Sequence, residues 1–189
     1  MDNKEKKKPV EIRTNRLILR PWRETDLKPF AAMNADSRVM EHFPATLSAQ
    51  ESDALARRFI QHFDRYGYGL WALEVPGVVD FAGFVGLNWI AYPMPFSPTI
   101  EIGWRLAHDF WGLGYATEAA KAVLEYSFNV LGLEEIVSFT YEGNQRSRHV
   151  MDKIGMQHNA AEDFDHPNLV KGHPLSRHVL YRIKANGLV

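Results

Sequence analysis

Between residues 99 and 119 an apolar strand pattern runs into a glycine turn and then into a helix pattern. The turn reads Asp109-Phe110-Trp111-Gly112-Leu113-Gly114-Tyr115-Ala116. The first N–H groups of a helix have no intrahelical acceptor and sit at the positive end of its dipole. Glycines let an anion approach the backbone closely. Gly112, Leu113, Gly114, Tyr115 and Ala116 are therefore expected to form an anion cradle, chiefly through the N–H groups of Gly112, Gly114, Tyr115 and Ala116. A P-loop would need Gly-Lys-Ser/Thr after four spacers, and the chain has no such string. A dinucleotide fingerprint would need a third glycine where Thr117 stands, and an acid about 20 residues on at the end of the next strand. Glu134 and Glu135 come near that spacing but open that strand, and three antiparallel strands precede the turn. The dinucleotide reading remains a minor alternative.

Other residues could do chemistry beside such a ligand. Glu101 lies on the strand face opposite Ile100, Ile102 and Trp104, with Gly103 leaving room next to it. A carboxyl group in an aromatic-lined cleft has its pKa raised toward the range useful to a general base. Glu101 is the first choice for that role; a solvated or Arg105-paired glutamate is the competing reading. His108 is an alternative base by chemistry. Asn144 opens a helix, with Ser147 three residues on. Either can bind a ligand, but Asn144 can equally serve as the helix cap, and Ser147 can bond its own helix backbone. Trp71, Trp89, Tyr92, Phe96 and Trp104 are candidates to line a substrate pocket, although such residues more often build core. No cysteine occurs, and none of the eight histidines stands in an HExxH-like spacing, so no metal site is expected.

The elements that must position these residues follow from periodicity. Residues 12–20 read as a strand closed by Pro21. Residues 24–34 read as a short helix starting near Thr25 or Asp26. Ser48-Ala49-Gln50-Glu51 has the form of a capping box, and Leu55, Phe59 and Phe63 continue at helical spacing. Strands are expected at 70–75, 81–90 and 99–107, with a loop of three prolines at 92–98. The helix after the glycine turn carries an inward stripe of Ala116, Ala120, Val123, Leu124, Ser127 and Leu131, and Gly132 stands in the C′ position. A strand at 135–141, a shorter helix from Asn144 to Gly155, and closing strands at 156–159 and 177–183 complete the pattern.

Two long motifs stand in order. The first is Ile100-Glu101-Ile102-Gly103-Trp104-Arg105-Leu106 followed by Phe110-Trp111-Gly112-Leu113-Gly114-Tyr115-Ala116-Thr117-Glu118-Ala119. The second runs from Glu142-Gly143-Asn144-Gln145-Arg146-Ser147 to Gly155-Met156. With the opening Thr14-Asn15-Arg16-Leu17-Ile18-Leu19-Arg20-Pro21-Trp22, they resemble the GCN5-related N-acetyltransferase (GNAT) superfamily, and within it the branch of the ribosomal-protein N-terminal acetyltransferases of RimJ/RimL type. The resemblance implies an α+β fold: a central, mostly antiparallel mixed sheet with a splayed strand pair and helices on both faces. One domain is expected over 11–189, behind a disordered basic tail at 1–10. The resemblance further implies acetyl-CoA as co-substrate, no metal, and direct transfer to a primary amine in a ternary complex. Trp104 and Leu106 would offer backbone to the pantetheine arm, and a backbone N–H nearby would serve the oxyanion. Asn144 would bond the pantetheine, Ser147 would protonate the leaving thiolate, and Tyr141 is the alternative donor. One departure is Asp109, where the superfamily often carries Gln or Arg; a carboxylate there is expected to point away from the diphosphate.

The acceptor is less specified. An α-amine of pKa about 7.7–8.0 is about a tenth neutral at pH 7, whereas a lysine of pKa about 10.4 is neutral below roughly a thousandth. A site with one modest base suits an N-terminal α-amine, with polyamines, amino sugars or amino acids as alternatives, and a non-catalytic acyl-CoA-binding module as another class. A formal charge of -1 gives no reason to expect nucleic acid or membrane as partner. The residues 1–9 are basic but lack the apolar core of a secretion signal, and the cysteine-free composition fits a reducing compartment, so a cytoplasmic monomer or homodimer is expected.

Overall fold

The computed structural model describes residues 10–187, so residues 1–9 of the expected tail lie outside it. Val10, placed by the sequence at the end of that tail, is tied to the protein: its carbonyl accepts the indole N–H of Trp71 at 2.7 Å. The expected first strand is a short hairpin of β1 (Ile12–Arg13) and β2 (Ile18–Arg20). Thr14 makes the bend, because its hydroxyl accepts the N–H of Leu17 while its own N–H donates to the Leu17 carbonyl. A side chain that competes for the backbone in this way breaks a strand.

A 3-10 turn at Glu24–Asp26 leads into α1 (Leu27–Ala35), and α2 spans Ala49–Tyr66. Ser48 and Glu51 form the expected reciprocal capping box, and Gly67 ends α2 in the left-handed region. Then come β3 (Leu70–Val75), β4 (Val79–Ile90) and β5 (Thr99–Leu106), an antiparallel meander. The glycine turn opens α3 (Tyr115–Asn129). Next follow β6 (Glu135–Tyr141), α4 (Gln145–Lys153) and the short β7 (Gln157–His158). The chain closes with β8 (Phe164–Asp165), which the sequence reading missed, and β9 (Arg177–Lys184).

Among the described residues nine strands join one sheet, ordered β1-β2-β3-β4-β5-β6-β9-β7, with β8 paired to β9, and only the β5–β6 contact is parallel. A sheet of this kind excludes the doubly wound parallel architecture of the dinucleotide alternative. Helices cover both faces. On one, Ile100, Ile102 and Leu106 of β5 pack with Ala119, Ala120, Val123 and Leu124 of α3 and Met151 of α4. On the other, Phe30 and Met33 of α1 and Ala56 of α2 pack on Leu70, Ala72, Phe81 and Phe84. Arg20 is buried between β2 and α1, where its fork bonds both Asp26 oxygens at 2.8 Å and its Nε bonds Glu74 at 2.7 Å. This matched set of opposite charges compensates the desolvation of the guanidinium and clamps α1 to the sheet.

Candidate active site

β5 is bonded to β4 along its whole length, from Thr99 opposite Ile90 to Leu106 opposite Gly83. To β6 it is joined only at Glu101 opposite Val137. Beyond that point the two strands diverge, which gives the splayed pair expected from the motif. The backbone phase on β5 is fixed by Ala107, whose N–H donates to Ala82 of β4. Hydrogen-bonding direction alternates along an antiparallel pair. Glu101, Gly103 and Arg105 therefore spend their backbone groups on β4, while those of Trp104 and Leu106 point into the wedge. There the Leu106 carbonyl is taken by the indole N–H of Trp111 at 2.8 Å.

A cavity of about 780 Å³ fills the wedge and runs on to the start of α3. Glu101, Gly103, Trp104, Leu106, Gly112, Gly114, Tyr115, Ala116, Asn144 and Ser147 all lie on its wall. Gly112 (φ 73°) and Gly114 (φ 81°) both adopt the left-handed conformation that side-chain-bearing residues avoid. Among the described residues no protein acceptor takes the N–H groups of Gly112 to Ala116, and the first backbone bond of the helix is Glu118 N–H to Gly114. The donors of an anion cradle are therefore unspent. Leu113 does not reach the wall; its side chain is 49% exposed and its carbonyl accepts from Arg16. Asp109 points away as expected, with its side chain 86% exposed beside His108. His108 also stays off the cavity wall, packed against Trp111.

Glu101 sits at the point where the strands part. It opens on the cavity but is otherwise enclosed by protein. Desolvation pushes its carboxyl up to about 7, against the opposing hydrogen bond from Asn88, its cross-strand partner on β4. No ion pair joins it to Arg105: the Arg105 side chain donates instead to Asn34 of α1 at 2.7 Å. Asn144 caps α4 by accepting the N–H of Ser147 at 3.1 Å, and its amide N–H donates to Thr140 at 3.0 Å. Both ends of that amide are thus occupied by the protein. Ser147 lines the cavity and its hydroxyl makes no hydrogen bond to another described residue, so the helix-bonded serine is not what forms. Tyr141 also lines the wall.

The substrate-pocket expectations fare less well. Trp71 is fully buried, edge-on to Phe63 and Tyr126, because β3 turns its odd-numbered side chains into the core. Trp89, on β4, and Tyr92, in the loop that joins β4 to β5, lie off the cavity wall. Burial and the nearby Glu101 charge push the Tyr92 hydroxyl up to about 12. Phe96 packs on Phe139 and Phe164. Of the five candidates Trp104 is on the wall, which is otherwise built by residues not proposed as pocket lining, among them Phe43, Phe84, Asn88, Arg105, Trp111 and Arg146. Arg105 and Asn88 had a legible signal, since both follow from strand register around Glu101; the segment carrying Phe43 had none.

The family model of the acetyltransferase (GNAT) domain matches residues 16–157. The chain is similar to the uncharacterized N-acetyltransferase YnaD of Bacillus subtilis, with 30% identity over 148 residues, 78% of this chain and 83% of YnaD. Among solved structures it resembles a GNAT-family acetyltransferase from Bacillus anthracis (TM-score 0.77, 23% identity, covering 94% of this chain and 99% of that one). It also resembles the spermidine N-acetyltransferase of Vibrio cholerae, solved with CoA and spermine (TM-score 0.69, 19% identity, covering 92% and 98%). A match over most of the chain and a shared fold lead to one conclusion: the chain belongs to the GNAT family and is an acetyltransferase.

Proposed function

We propose that this enzyme transfers acetyl from acetyl-CoA directly to a primary amine, with an N-terminal α-amine as the acceptor, as in the RimJ/RimL branch that its motifs resemble. The observation that carries the reading is Glu101, held at the mouth of the wedge with its carboxyl pushed up to about 7. The free N–H groups of Gly112 to Ala116 suit the diphosphate of CoA. The backbone of Trp104, directed into the wedge, suits the pantetheine arm and supplies an N–H for the oxyanion. Glu101 takes a proton from the ammonium form of the acceptor, directly or through water. The neutral amine nitrogen attacks the thioester carbon, the C–N bond forms, the nitrogen sheds its second proton to water, and the C–S bond breaks as the tetrahedral intermediate collapses. Ser147 protonates the departing thiolate, and both side chains regain their starting protonation from solvent. A base near pH 7 matches an α-amine better than a lysine, whose neutral fraction there is far smaller.

A polyamine acceptor is the second reading, suggested by the spermidine enzyme that shares the fold. It is disfavoured because, among the described residues, Glu101 is the only carboxylate on a wall that also carries Arg105 and Lys153, besides an Arg146 paired with Glu41. Calorimetric titration with acetyl-CoA, using NADH as the comparison ligand, tests the cradle. Micromolar binding of acetyl-CoA alone, followed by thiol release with peptide amines, is the expected result. An absence of acetyl-CoA binding would refute the reading.

A further inference from the structure

Among the described residues, Arg20 is buried and Arg105 is half-buried on the cavity wall with its Nε sealed from solvent, and the two are treated differently. Arg20 has two carboxylates, Asp26 and Glu74, closed around its fork. Arg105 has none. Its only side-chain hydrogen bond among the described residues is from Nη1 to the Asn34 amide oxygen, and its Nε is buried without an acceptor. The guanidinium instead lies 4.1 Å from the Phe43 ring centre and 5.5 Å from that of Phe84. Burial pulls it down to about 10, which still leaves it charged at neutral pH. A cation partly withdrawn from water without an anionic partner is costly, and aromatic faces offset only part of that cost. Stacking uses the faces of a guanidinium and leaves its edge for an acceptor, and a planar fork with an open edge suits a carboxylate.

The position says which ligand would supply it. Arg105 shares the cavity with Glu101 and lies on the same face of β5, the side covered by α1 and α2. The CoA cradle is built at the start of α3, whose helix packs against the opposite face. We propose that Arg105 is the specificity residue of the acceptor subsite and binds a carboxylate carried by the amine substrate. The inference rests on the acetyltransferase reading above and adds the chemical class of the acceptor. Residues 101 and 105 are about 13 Å apart along a strand. The reach of the arginine shortens that span, so the amine and carboxylate are separated by about two to three residues of extended peptide. The acceptor is a short peptide, or an amino acid derivative of that length, bearing both groups.

The test uses glycine and its di-, tri- and tetrapeptide, each as free acid and as C-terminal amide, with thiol release as the readout. For the wild type, kcat/KM should favour the acid over its amide by at least about tenfold, most at the di- and tripeptide. Arg105→Gln should erase that preference, bringing the acid down to the level of its amide while the acetyl-CoA Kd stays as in the wild type, and Arg105→Lys, which keeps the charge, should retain part of it. Calorimetry of N-acetyl-triglycine and its amide on the CoA-loaded enzyme reads the same subsite without turnover, and should show the same acid preference in the wild type alone. Equal behaviour of acid and amide in both assays, with acetyl-CoA still binding, overturns this inference and leaves the acetyltransferase reading standing. A tenfold loss of acetyl-CoA affinity in Arg105→Gln also overturns it, by assigning the arginine to a CoA phosphate. Failure of the wild type to bind acetyl-CoA overturns both.

Discussion

Replacing Glu101 by Gln should remove activity and stabilise the protein at the same time, with a pH dependence of known sign. Burial raises the Glu101 carboxyl from 4.5 to about 7 in the folded state. The folded protein therefore holds this proton more tightly than the unfolded chain does. Stability from the group is complete below about pH 4.5, falls as pH rises across the interval, and is lost above the folded value near 7. That interval corresponds to about 3 kcal/mol. A glutamine keeps the shape and can still accept from Asn88, but never ionises. Urea unfolding at pH 4.5 and pH 8.5 should thus show little difference between the proteins at the lower pH, and a variant more stable by about 2–3 kcal/mol at the higher. Activity should move the other way. In the wild type kcat/KM should rise with pH through about 7 as the base ionises. In Glu101→Gln it should fall by about 10²–10⁴-fold and lose that rise, with acetyl-CoA affinity unchanged. A stability difference that does not grow with pH would show that the carboxyl is not desolvated. A variant with full activity would remove Glu101 from the chemistry.

Three further outcomes follow from the same geometry. Ser147→Ala should lower kcat with thermal stability and acetyl-CoA affinity unchanged, because the hydroxyl makes no hydrogen bond to another described residue; stopped-flow thiol release and a melting curve check both. Gly112→Ala meets no atom within 4 Å, so its effect comes from the left-handed backbone alone. It should cost about 1–2 kcal/mol in urea unfolding and weaken acetyl-CoA in calorimetry as the turn shifts. Asp26→Asn leaves the buried Arg20 short of one charge partner, and should destabilise by about 3 kcal/mol or more in urea unfolding while the acetyl-CoA Kd stays the same, since the pair lies away from the cavity.

Much of the fold was legible because local rules and the tertiary structure agree. Ser48 and Glu51 announce α2 by bonding only to each other and to the backbone beside them. The Leu70–Val75, Glu135–Tyr141 and Arg177–Lys184 strands lie within a residue of their expected limits, since alternation sets both pattern and pleat. The misreadings share a cause. Residues 12–20 read as one strand, yet the Thr14 hydroxyl takes a backbone N–H and bends the chain into a hairpin. Phe164–Asp165 is too short for any period and exists only because β9 offers it an edge.

The site divides along the same line. The sequence determined the glycine turn and its unspent N–H groups, because a strand, a turn with Gly112 and Gly114, and a helix are contiguous, and the conformations they require are local. It determined that Glu101, Gly103 and Arg105 share a face, because side chains alternate along a strand. What surrounds those side chains was decided by tertiary structure. Trp71 and Trp104 are the same residue type, yet one is sealed in the core and the other lines the cavity. Arg20 is buried and Arg105 half-buried, yet only the first meets carboxylates, brought from the 3-10 turn before α1 and from β3. Desolvation and charge pairing depend on segments distant in sequence, so the tuning of Glu101 and the unmatched charge of Arg105 emerge only when the sheet is assembled and α1 and α2 close over it.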